Sequence, residues 1–283
     1  MQVVESFKEL FIAALTATAG QVITVLGPLL LLALAMNVAS GIVERKVIAL
    51  CGMRGYLVLF GWIGVPAHEC GHMLFCLLFG HGIESFKLFN PHDADGTLGH
   101  VVHTYNARNP YQRVGLFFIG IGPILLGSAL LYLGAYLLLA LDLGAGLRSS
   151  AMPHSWRLSG ANAAAFAGDL SRELLHILRV VSAGASLSDW KLYAFVYLAI
   201  AIGGAIKLSP ADLKSAFSGF ASIVLILVVA NAATPWIGSA TALASTGLRS
   251  ATASVDALLL FAVVINGAIA GVLTVVAALV GDR

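Results

Sequence analysis

Long apolar runs, separated by small clusters of charge or by Gly, Pro and Ser, set the pattern of this chain. Six of them approach the roughly 20 residues a helix needs to cross the hydrocarbon core. They cover about 20–43, 56–80, 112–140, 191–206, 213–231 and 257–280. Glu44-Arg45-Lys46 ends the first, and a short link containing Ser209-Pro210 joins the fourth to the fifth.

The remaining segments carry other periods. Within residues 1–19, Val3, Val4, Phe7, Leu10, Phe11 and Ala14 share one helical face, and Glu5, Lys8 and Glu9 lie on the other. That is the pattern of an amphipathic helix lying in the membrane interface, with the start of the first span as the alternative. Residues 162–181 repeat Phe166, Leu170, Leu174, Ile177 and Leu178 at helical spacing beside a face of charges, which predicts a second surface helix. Residues 232–255, rich in Ala, Ser, Thr and Gly, read as a connection without an assigned role. Between the second and third spans, 83–89 and 97–105 alternate roughly around Asn90-Pro91-His92-Asp93-Ala94-Asp95-Gly96, a turn-forming run. A β-hairpin over 83–105 follows. At membrane depth such backbone must be buried in protein or line a wet cavity.

Composition agrees. Of 283 residues, 59% are hydrophobic and only 11% charged, and the mean hydropathy is +0.92. A water-soluble domain carries about 25% charged residues. The expected class is therefore an all-α multi-pass membrane protein with about six transmembrane helices and one small β-hairpin, resident in a cell (inner) membrane and partnered by the lipid bilayer. A scattered net charge of +2 argues against nucleic acid. Three cysteines, Cys51, Cys70 and Cys76, form no disulfide framework. The first ten residues lack the basic-then-apolar order of a cleavable signal peptide.

Chemistry concentrates in the second span, at His68-Glu69-Cys70-Gly71-His72. Residues four apart share a helix face, so His68 and His72 can bind one metal ion, Zn²⁺ by preference. Glu69 stands beside that face, placed to act as general base on a zinc-bound water. A chance match to this pattern is expected on the order of 0.005 times in such a chain. Three polar side chains in five positions of an apolar helix also carry an insertion cost of roughly 2.5–3.5 kcal/mol for each ionised one. Polar glue between helices is the plainer reading, but it does not require this order.

Zinc needs at least one more protein ligand. The candidates are Asp212, His81, Asp93, Asp95, His100, His103 and Cys76. Cys76 shares the face of His68 but lies about 12 Å along the axis, too far to converge with both histidines. Counting crossings puts the link before the fifth span on the same side as the exit of the metal-binding helix, which favours Asp212. Ser209-Pro210-Ala211-Asp212 is also common helix-start chemistry, so a capping role competes with ligation.

These residues resemble the site-2 protease group of intramembrane zinc metalloproteases. The similarity rests on His68-Glu69-Cys70-Gly71-His72 in a membrane helix, the β-rich segment after it, Gly120-Ile121-Gly122-Pro123 in the next span, and an aspartate on a later helix. It covers about 61–127 and 207–220. The usual third-ligand pattern, Asn-x-x-Pro followed by Asp-Gly, is replaced here by Ser209-Pro210-Ala211-Asp212-Leu213, and no PDZ-like insertion is present. The resemblance implies a compact, divergent member that hydrolyses peptide bonds of membrane-protein or peptide substrates, with Glu69 catalytic and His68, His72 and Asp212 holding zinc. The competing class is a non-proteolytic membrane metal-binding protein or a zinc transporter. A transporter would carry acidic or histidine residues along several spans.

Overall fold

Apolar runs of this length satisfy their backbone polar groups without water by forming helix. The computed structural model describes residues 2–91, 98–141 and 187–281, with Gly168, Ser171, Arg172, Leu175 and Arg179 between them. The described residues are mostly helical, with one two-stranded antiparallel sheet. The helices are α1 (Gln2–Gln21), α2 (Gly27–Tyr56), α3 (Trp62–Leu78), α4 (Pro110–Leu139), α5 (Trp190–Ala205), α6 (Pro210–Ala232) and α7 (Thr234–Gly281). Wide π-helical turns at Val22–Leu26 and Leu57–Gly61 join the first three. Asn109 and Asp189 cap α4 and α5 through their side chains.

Four stretches are long and apolar enough to cross a membrane: Gly27–Leu78, Pro110–Leu139, Pro210–Ala232 and Ser254–Val280. This differs from the six expected spans for two reasons. The first and second fall within one helical stretch of 52 residues. The fourth, α5, has only 16 residues, about 24 Å of rise. The long stretch is not straight. Gly52 has φ 71° and ψ 168°, a backbone conformation that favours glycine. Glu44 pairs with Lys207 at 2.9 Å, while the carbonyl of Ala205, two residues earlier, accepts a bond from His68. In a straight helix, residues 44 and 68 would be about 36 Å apart. The chain therefore bends back at Gly52, so that Glu44 and His68 both meet the end of α5 and the link after it.

α4 forms the centre of the bundle. Its Phe117, Ile121, Ile124, Leu131 and Ala135 are buried among α2, α5, α6 and α7. Large apolar side chains such as Leu34, Val58, Leu137, Phe217 and Val229 face outward, as a lipid-facing surface requires.

The hairpin is present as β1 (Gly82–Lys87) and β2 (His100–Thr104), pairing Gly82 with Thr104 and Lys87 with His100, with an irregularity between Ile83 and Ser85. Residues 92–97 of the expected turn lie outside the described residues. So does most of the expected surface helix 162–181, of which the five described positions are helical. Residues 232–255, read as a connection, instead run into α7 as helical backbone. Pro235 falls in its first turn, where a missing N–H is harmless, and the small residues that follow do not break it.

Candidate metal site

α3 carries the His-Glu-x-x-His run, and three glycines set how closely its neighbours approach. A Cβ on Gly64 would run into Ala201 and Ala205 of α5. A Cβ on Gly71 would fall 2.6 Å from the Cα and N of Pro123 on α4. Gly120 of α4 does the same for α6, where a Cβ would sit 2.5 Å from the Asp212 carbonyl oxygen and 2.6 Å from the Ala216 amide. The Gly120-Ile121-Gly122-Pro123 segment thus lies between the helix that carries the histidines and the helix that carries Asp212. One glycine serves each interface.

His68, His72 and Asp212 converge. One ligand-capable atom from each lies within 4.8 Å of the others. The two Nε2 atoms are 3.1 Å apart. Asp212 Oδ1 is 3.2 Å from His72 Nε2, and Oδ2 is 3.7 Å from His68 Nε2. The carboxylate that caps α6 is also the one that faces the histidines. The Ser209 amide donates to Asp212 Oδ2 at 2.7 Å, and the Asp212 amide donates to Ser209 Oγ at 3.2 Å. This box orients the group toward the histidines.

Both imidazoles are held from behind. His68 Nδ1 lies 2.8 Å from the Ala205 carbonyl oxygen and His72 Nδ1 lies 2.8 Å from that of Ile119. A carbonyl only accepts, so each Nδ1 carries a proton, and a ring in its neutral form presents a bare Nε2. The Ala205 carbonyl is free because α5 ends there. The amide of Ser209, which would have claimed it in a continued helix, goes to Asp212 instead.

Two bare nitrogens and a carboxylate facing one another at these distances repel unless a cation, a metal ion or a proton, sits among them. Tetrahedral donors about 2 Å from a zinc-sized ion lie roughly 3.3 Å from each other. The observed separations of 3.1, 3.2 and 3.7 Å match that span. Three protein ligands also leave a fourth position open, the arrangement of catalytic rather than structural sites. The donor set fits a metal ion.

Glu69 is 6% exposed. It lines, with His68, a cavity of about 350 Å³ whose wall includes Tyr56, Gly99 and the Glu44–Lys207 ion pair. Gly99 lies directly on it: a Cβ there would fall 2.8 Å from Glu69 Cγ and Oε1. Gly99 was not singled out in the sequence, although a glycine entering an alternating strand is a sign of close backbone approach. Lys207 was likewise missed, and no local pattern announces it.

The other ligand candidates lie elsewhere. Cys76 is buried outside the group. His100 opens β2 opposite Lys87. His81 donates from Nε2 to the Gln112 carbonyl at 2.8 Å and accepts at Nδ1 from His103 Nδ1, 3.0 Å away. Burial and the adjacent His81 hold the His103 pKa below the ordinary histidine value. With Tyr105 stacked on His81 and Gln112 bonded to Gly80, the pair clamps the base of the hairpin to the α3–α4 junction. Asp93 and Asp95 lie outside the described residues.

Comparison with known proteins gives no match to a family model, a curated protein or a solved structure.

Proposed function

We propose that the chain is an intramembrane zinc metallopeptidase of the site-2 type, hydrolysing peptide bonds in membrane-protein or peptide substrates. The observation that carries this reading is the convergence of His68, His72 and Asp212 from two helices, with Glu69 lining a cavity that reaches the group at His68. Among the described residues there is one such group, which favours a reaction centre over an ion path through several helices. The bend at Gly52 supports counting the long stretch as two crossings.

In this reading, His68, His72 and Asp212 hold Zn²⁺, which supplies a Lewis acid for water activation and for the developing oxyanion. The Glu69 carboxylate takes a proton from the attacking water and passes it to the leaving nitrogen. Burial of Glu69 under Gly99 keeps the carboxylate fixed. The cavity, with Glu44, Glu69 and Lys207 on its wall, has room for the water that lipid lacks. Among the described residues β2 pairs with β1 alone, leaving its other edge to take an unwound substrate strand. A second, apolar cleft of about 330 Å³ between α2 and α6, lined by Leu30, Leu34, Phe217 and Phe220, reaches Leu213 beside Asp212 and suits approach from lipid.

The test is metal-dependent hydrolysis. Purified protein in detergent should cleave unstructured apolar peptides, lose that activity to a chelator and regain it with zinc. Failure to cleave any peptide of a broad library while zinc is bound would favour the non-proteolytic metal-binding class. Gly99→Val should lower turnover at least tenfold with zinc content unchanged, because the added methyls displace Glu69 and not the ligands. Full turnover in that variant would detach the hairpin from catalysis.

A further inference from the structure

An α-helix closes each carbonyl with the amide four residues on. For Ile119 that amide belongs to residue 123, which is proline and has none. The proline ring also crowds the carbonyl of the residue four back and turns it off the helix axis. In α4 this leaves the Ile119 oxygen without its helical donor, and that oxygen is the one His72 Nδ1 reaches at 2.8 Å. Gly71, next to His72, lies against the Pro123 backbone, so the histidine and the vacated acceptor meet at one contact. His72 is 7% exposed, so no bulk water competes for its Nδ1 proton.

We propose that Pro123 is a positioning residue for the metal site: by withholding an amide it reserves the Ile119 carbonyl for His72, locks the Nδ1–H tautomer and aims a bare Nε2 at the ion. The inference deepens the metal-binding reading above and rests on it. Its chemical content is a single proton location. With an amide at position 123, the Ile119 oxygen returns to the helix, and His72 loses the partner that distinguishes its two nitrogens. Partners of this kind behind a ligating histidine change metal affinity by about 10–100-fold.

Pro123→Ala separates this role from a packing role. The variant regains a helical hydrogen bond, which offsets the loss of a buried ring, so the metal-free protein in detergent should melt close to wild type. Zinc affinity, measured by competition with a chromophoric chelator, should fall by about 10–100-fold. Unchanged affinity, or affinity and melting temperature falling together, would overturn the proposal. A second measurement needs no variant of α4. In metal-free protein labelled with ¹⁵N-histidine, the His72 signals, assigned by their loss in His72→Ala, should report a protonated Nδ1 and an unprotonated Nε2. The opposite tautomer would overturn the proposal. Absence of zinc binding in wild type would defeat the metal-site reading itself, and the histidine spectrum would still decide the tautomer.

Discussion

Replacing Glu69 by Gln should reduce peptide hydrolysis by about 10²–10⁴-fold, the range typical for loss of a general acid–base group, while the zinc content of the protein stays at the wild-type level. The amide keeps the shape of the carboxylate, and its burial against Gly99 gives the side chain little room to move. It cannot take up a proton from water. Because Glu69 is not one of the three converging ligands, the metal has no reason to leave. Turnover and metal content, measured on the same preparation, separate a base from a ligand. Loss of both in the Gln variant would mean that Glu69 holds the site together. Loss of neither would remove it from the chemistry.

Gly71→Val should abolish tight zinc binding without touching a ligand. A Cβ at this position would fall 2.6 Å from the Cα and N of Pro123 and 2.8 Å from the Gly122 carbonyl carbon. Those are backbone atoms of the central helix, with no flexible end that could yield. The helices must separate, and the His72–Ile119 bond that spans the same interface must open. Overpacking of a core contact costs about 1–3 kcal/mol, so the melting temperature should fall with metal affinity. Gly267→Val is the matched control. Nothing lies within 4 Å of a Cβ at that position, and neither quantity should change. Equal behaviour of the two variants would show that the α3–α4 spacing does not govern the site.

The parts of this arrangement that were legible in the sequence are those that side chains announce. His68 and His72 had to share a face, because four residues make nearly one turn. Counting six crossings favoured Asp212 as their partner, but the hairpin histidines stayed open as alternatives, and so did the choice between cap and ligand at Asp212. That choice dissolves in three dimensions, since Oδ2 accepts from the Ser209 amide while Oδ1 lies closest to His72. The hairpin was legible from its turn chemistry. Its sequel was not: nothing in the letters places Gly99 on Glu69, because that contact joins segments thirty residues apart.

Element boundaries failed where hydropathy was used to end a helix. Glu44-Arg45-Lys46 stops an apolar run, yet all three are good helix formers and α2 continues through them to Tyr56. The break comes at Gly52, whose positive φ uses the conformational freedom of glycine and is not announced by polarity. Residues 232–255 look like a linker for the same reason: low hydropathy says that a segment does not cross lipid, not that it is uncoiled. The acceptors behind the histidines are backbone carbonyls, which no residue letter reports. Their traces are indirect, a proline at 123 and a helix ending at 205.

The most direct test of the central claim is the zinc content per chain, by elemental analysis, of wild type, His68→Ala and Asp212→Ala purified without chelators. The account predicts about one zinc per wild-type chain and a large loss in both variants, with Asp212→Ala as dependent on its side chain as His68→Ala. A wild-type protein without metal, or an Asp212→Ala variant that keeps its full complement, would contradict it.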